Sequence, residues 1–198
     1  MTLSSLVMET ILPVNGSRVK VLNVPYFIQS DTEWLCLVYS IKMVMDFYKN
    51  IHTKPEIRQR SPNTTRDELI GVTRTKLTTG TPISDDLILS LNTKFPSLQF
   101  ELKETNYSEI KQELDRYNPV IVMYDPTILF NNEEGPCHSG VVIGMNKQLI
   151  VLNNPWYGPA FCVEKTAFAD AWEIEYNRGM FIKPNSQQRI DADAGTVA

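Results

Sequence analysis

A chain of 198 residues, 42% of them hydrophobic and 21% charged, has room for one domain with its own core and needs no disulfide or metal staple. A formal net charge of −4 and a pI near 5.3 give no electrostatic reason to expect nucleic acid or a membrane surface as partner. The three cysteines, Cys36, Cys137 and Cys162, stand at unrelated spacings, which argues against a disulfide framework and against zinc held by Cys pairs, so a reduced, cytoplasmic setting is expected.

The N-terminus has no basic segment ahead of an apolar one, and Glu9 and Pro13 break what apolar character it has, so no signal peptide is expected. No apolar run approaches the roughly 18 residues of a membrane span. The first strong helix is predicted from near Leu35, with Asp31 or Thr32 as cap and Val38, Ile41, Met45 and Tyr48 at helical spacing. Residues 51–65 read as a loop around Pro55 and Pro62. A second helix is predicted from Thr65, whose partner Glu68 completes a capping box, to about Lys76; a third follows Ser84 as cap. "SLQFELKE" reads as a strand and "NYSEIKQELDRY" as an amphipathic helix that stops before Asn118-Pro119.

Beyond that point the pattern changes. "PVIVMYD", "HSGVVIGMN", "QLIVLNN", "AFCVE" and "RGMFIKP" are short apolar or β-branched runs between turn residues, with the helix "KTAFADAWE" before the last. Helices first and a mainly antiparallel sheet second is an α+β pattern. One domain is expected over residues 1–183, with a disordered polar tail over 184–198.

The chemistry-bearing residues follow a specific order. Cys36 stands in the first turn of a helix, where oriented backbone donors favour a thiolate. Taken singly it also reads as a buried structural cysteine, since free cysteines are small hydrophobes. A nucleophilic thiol needs an imidazole and a group that orients it. Of the two histidines, His52 lies in a loop, whereas His138 opens a strand. The next strand ends at Asn153-Asn154, so antiparallel pairing brings an amide to the imidazole. Asn154, directly before Pro155, is the better placed, although both asparagines also suit a turn. Gln29, in the loop leading to the helix, can offer a side-chain N–H to an oxyanion, or be a solvated loop residue. Trp34 reads as a core aromatic more readily than as a subsite wall, and Trp156 can shield the His–Asn bond. Cys137 and His138 with Glu133 and Glu134 lack usual zinc spacing, so no metal or other cofactor is expected.

"VPYFIQSDTEWLC" with "MVMDFY", and "HSGVVIGMNKQLIVLNNPWYG" with a helix ending in Trp172, resemble the bacteriocin-processing (double-glycine) peptidase-like family of the papain-like cysteine peptidase clan, over residues 20 to 183. The resemblance implies a papain-like fold, with an N-terminal helical half packed on the sheet. It makes Cys36 the nucleophile, His138 the base, Asn154 the orienting residue and Gln29 the oxyanion donor. Three departures stand out: Leu37 where the family usually has glycine, Asn154 where it usually has aspartate, and a seven-residue interval from Gln29 to Cys36. With no ATP-binding cassette or membrane part in the sequence, a complete exporter is not expected.

The expected function is therefore cleavage of peptide or amide bonds through a thioester, with a peptide or protein as substrate. The same residues also suit an acyl or peptidyl transferase or a protein deamidase. A catalytically silent peptide-binding domain on the same scaffold is the alternative that Leu37 favours.

Overall fold

The computed structural model describes residues 9–14, 16–29, 34–51, 63–130 and 137–185. The helix caps expected at Asp31 or Thr32, most of the 51–65 loop with His52, Glu133 and Glu134, and nearly all of the expected tail lie outside these residues.

Helix α1 (Cys36–Ile51) is apolar around most of its circumference, as a helix must be if it is to run through the interior. Val38, Ile41, Met45 and Tyr48 are all buried, and α1 lies against the central strands of an eight-stranded sheet. At its far end the Tyr48 hydroxyl donates to the Ile182 carbonyl at 2.6 Å, fixing the helix axially. Helix α2 (Arg66–Thr73) starts as predicted: Thr65 Oγ1 accepts the Glu68 N–H at 3.2 Å. It stops earlier than predicted because Arg74 takes a left-handed conformation, φ 53°, and closes it. Helix α3 (Asp85–Lys94) has Ser84 at its cap position, but the serine side chain makes no capping bond. Helix α4 (Tyr107–Asp115) is capped by Asn106, which accepts the Glu109 N–H at 3.0 Å.

The predicted strands are present: β3 (Leu98–Glu104), β4 (Val120–Tyr124), β5 (His138–Met145), β6 (Leu149–Asn154), β7 (Gly158–Glu164) and β8 (Arg178–Pro184). Every pairing between them is antiparallel, and β4, β5 and β6 are buried along their whole lengths. Helix α6 (Lys165–Ile174) packs on this sheet and on the short helix α5 (Pro126–Phe130).

An N-terminal hairpin, β1 (Glu9–Val14) and β2 (Ser17–Leu22), was not expected from the sequence. It joins the sheet where Val21 pairs with Gly144, beyond the last β4 partner at Val142. The helices and strands are therefore less segregated along the chain than the sequence pattern suggests. Gly144 makes this junction possible, since a Cβ there would lie 2.4 Å from the Lys20 carbonyl oxygen. No described helix is long and apolar enough to cross a membrane.

Candidate active site

Three element ends converge at one edge of this fold. Cys36 is the first residue of α1, half-buried, with no acidic side chain in the first turn to compete for the helix's positive end. His138 is the first residue of β5, opposite Tyr124, the last residue of β4. Asn154 is the last residue of β6, the neighbour of β5 on its other edge. Residues 102 positions apart in the chain thus share a site.

His138 Nε2 lies 2.9 Å from Asn154 Oδ1. That oxygen also accepts the backbone N–H groups of Trp156, at 2.9 Å, and Tyr157, at 3.1 Å. Two backbone donors fix which end of the amide is oxygen, so Nε2 carries the imidazole proton and Nδ1 is left as the basic nitrogen. The other end of the amide, Nδ2, donates to the Tyr124 hydroxyl at 2.6 Å. Asn154 is fully buried, so this three-sided saturation is what its burial requires.

Aromatic rings close the pair off from water. Tyr124 meets the imidazole edge-on at 5.5 Å between centroids, and Trp156 lies at 5.8 Å. Burial raises the Tyr124 phenol well above its ordinary range, which keeps it neutral beside the imidazole.

The electrostatics single out one thiol. Burial pushes Cys36 up, yet the charge and hydrogen bond of His138, with hydrogen bonds from the Ser139 side chain and backbone, outweigh it. The net result is a Cys36 thiol lowered from 9.0 to about 7. Cys137 moves the other way, raised by burial and then by Glu175, and burial also raises Cys162. Tyr124 and Ser139 were not picked out from the sequence; their contributions depend on cross-strand placement, and only a lone tyrosine ending an otherwise aliphatic strand hinted at one of them.

Gln29 is 5% exposed rather than solvated, and its backbone N–H donates to the Pro155 carbonyl at 2.9 Å. This anchors the loop against the turn that follows Asn154. Asn153 serves the same scaffold: its Nδ2 donates to the Val24 carbonyl, and its Oδ1 accepts the Ala160 N–H.

A cavity of about 90 Å³ opens beside the thiol and imidazole. Trp34 and Leu37 form its α1 side, Thr79 to Thr81 and Ile83 face them, and Met123, Cys137 and Ser139 form the sheet side. Gln29 does not line it. Trp34 is half-buried on this wall and not in the core, with its backbone N–H donating to the Leu77 carbonyl at 2.9 Å. The facing segment is held by hydroxyls: Thr73 Oγ1 and Thr75 Oγ1 lie 2.6 Å apart, and Thr75 and Thr81 Oγ1 2.5 Å apart. Among the described residues no group of three or more His, Cys, Asp or Glu side chains could hold a metal ion.

A helix bearing a thiol at its start, packed on an antiparallel sheet that supplies an imidazole and an amide, defines the papain-like peptidase scaffold. The fold matches that of a Bacillus anthracis protein described as a C39-like peptidase, at TM-score 0.61 and 15% identity, covering 82% of this chain and 96% of the other. It also matches the peptidase domain of Streptococcus ComA, a bi-functional ABC transporter, at TM-score 0.57 and 15% identity, covering 82% and 100%. No curated protein sequence matches the chain. The model of the Peptidase_C39 like family matches residues 21–180, and the chain belongs to that family.

Proposed function

We propose that this protein is a cysteine peptidase or amidase that works through Cys36, His138, Asn154 and Gln29. The observation that carries the reading is the joint state of the first three: a thiol lowered to about 7 by an imidazole whose proton is pinned on the far nitrogen by a buried amide.

The steps follow from that state. His138 Nδ1 takes the Cys36 proton, the resulting thiolate attacks the carbonyl carbon of the scissile amide, and the C=O electrons move onto oxygen. The Cys36 backbone N–H and the Gln29 side-chain amide stabilise the oxyanion. Collapse of the intermediate breaks the C–N bond, His138 gives its Nδ1 proton to the leaving nitrogen, and a thioester remains on Cys36. His138 then takes a proton from water, whose oxygen attacks the thioester carbon; the C–S bond breaks, the carboxylic acid leaves, and the Nδ1 proton returns to the Cys36 sulfur. Asn154 acts through His138, holding the ring so that Nδ1 faces sulfur.

Incubating the purified protein with a proteome-derived peptide mixture and sequencing new termini by mass spectrometry tests this. New termini are expected with wild type and none with Cys36→Ala. Equal cleavage by Cys36→Ala sinks the reading.

A further inference from the structure

We propose that Cys36 and Cys137 form an oxidation site that takes a small hydroperoxide and closes into a reversible disulfide. What the disulfide switches off rests on the peptidase reading above; the thiol chemistry itself does not.

The two sulfurs share one space. Both cysteines line the cavity of about 90 Å³, with His138 and Ser139 beside them. Cys162 is not on that wall; it lies in β7, its thiol donating to the Ala160 carbonyl at 3.3 Å. Ser139 hydrogen-bonds Cys36, and Cys137 stands two residues before Ser139, so one short segment brings both to the Cys36 sulfur. The charge of Cys36 is felt at Cys137, and the buried Tyr124 hydroxyl feels both. A disulfide requires Cα atoms within about 7 Å. Cys137 lies one residue outside the β5 ladder, its thiol 3.8 Å from the His138 carbonyl, so it can approach without disturbing the β4–β5 register.

The thiols are tuned for different parts. Cys36, lowered to about 7, meets an oxidant as thiolate. Cys137, raised by burial and then by Glu175, stays a thiol and escapes the first attack. The cavity selects the oxidant. Its volume is well above the roughly 10–15 Å³ that admits one water, so hydrogen peroxide enters. A charged disulfide the size of glutathione's is too large.

The Cys36 thiolate attacks a peroxide oxygen: an S–O bond forms, the O–O bond breaks, and the His138 imidazolium protonates the departing oxygen. The product is a sulfenic acid on Cys36, with the hydroperoxide reduced to water or an alcohol. The Cys137 sulfur then attacks the Cys36 sulfur. An S–S bond forms, the S–O bond breaks, and hydroxide leaves with the Cys137 proton as water. Two thiols are thus oxidised for one hydroperoxide reduced, and the nucleophile is held out of turnover until a thiol reductant restores it.

Mass spectrometry reads this chemistry directly. The full chain is treated with a modest excess of hydrogen peroxide, blocked with N-ethylmaleimide and digested without reductant. A Cys36–Cys137 cross-linked peptide is expected, with Cys162 alone among the three cysteines still open to alkylation. Dithiothreitol should restore Cys36 alkylation, and peptide cleavage with it. In Cys137→Ala the same treatment is expected to carry Cys36 on to sulfinic acid, which dithiothreitol does not reverse. Cys162→Ala should behave as wild type. Absence of the cross-link from peroxide-treated wild type, or recovery of Cys137→Ala equal to wild type, overturns the proposal. If that variant does not fold, the wild-type cross-link alone decides. A cross-link in a protein that cleaves no peptide before oxidation upholds the thiol pair and removes the peptidase reading instead.

Discussion

The oxygen of Asn154 that receives the His138 Nε2 proton at 2.9 Å is the same oxygen that receives two backbone N–H groups from the turn behind it. The imidazole is therefore oriented by a group that is itself held at three points, and the tautomer is fixed by covalently determined donors, not by a rotatable one. Replacing Asn154 with alanine removes the acceptor from all three. On the proposed mechanism kcat/KM falls about a hundredfold, the scale of a misplaced catalytic group. Asn154→Asp keeps an acceptor facing His138 and both N–H groups, and the Tyr124 hydroxyl can reverse to donate to it. That variant is expected to stay within about tenfold of wild type. Steady-state kinetics on one cleaved peptide separates the two, and equal losses would show that the shared oxygen is not what matters.

The lowered Cys36 thiol gives a pH dependence whose sign is fixed. The thiolate fraction rises with pH and is half-complete near 7, whereas Cys137 and Cys162 are raised by burial and remain thiols there. Iodoacetamide at pH 7 should therefore label Cys36 first, with a rate midpoint near that pH. His138→Ala removes both the charge and the hydrogen bond that oppose burial, so the midpoint should move upward. Mass spectrometry of the alkylated peptides reads both outcomes; a midpoint near 9 that ignores the histidine contradicts the assignment.

Much of this site was readable in the sequence because each of its parts marks the end of an element. Cys36 begins a run with helical spacing, His138 begins a β-branched run and Asn154 ends the next, so strand pairing alone predicts that the last two meet. The helix start at Thr65 was likewise a local signal, a one-residue cap that acts within a single turn. What could not be read depends on distant partners. Strand β1 is poorly buried and contains Pro13, tolerable only on an outer strand, and its hairpin is tied to the sheet through Gly144, more than a hundred residues on. Tyr124 gains its site contacts only by lying opposite His138, and Trp34 becomes a cavity wall only because the 75–81 turn folds over to face it.

That hairpin junction makes a stability prediction that is independent of catalysis. A methyl group at position 144 would meet the Lys20 carbonyl oxygen at 2.4 Å and Val21 Cγ1 at 2.7 Å, and backbone cannot swing aside as a side-chain tip can. Gly144→Ala must push β2 off β5 or bend β5 itself. Overpacking of this kind costs about 1–3 kcal/mol. Urea unfolding should show a midpoint lowered accordingly, while an unchanged midpoint would mean that the strand contact contributes nothing to the folded state.

Gln29 is the member of the proposed machinery that sits outside the cavity wall, and it carries the sharpest kinetic expectation. Its loop is anchored by the Pro155 carbonyl, in the turn whose amides hold Asn154, so the loop and the imidazole support share one scaffold. An oxyanion donor acts only once negative charge has moved onto the carbonyl oxygen, because a ground-state carbonyl offers it much less. Gln29→Ala should therefore lower kcat on the order of a hundredfold or more while leaving KM nearly unchanged. The same variant should keep the rate and pH midpoint of Cys36 alkylation, since that reaction forms no oxyanion and the His138 contacts are intact. If instead alkylation slows in parallel with turnover, Gln29 acts by shaping the thiol's surroundings, and the oxyanion must be held by backbone donors alone.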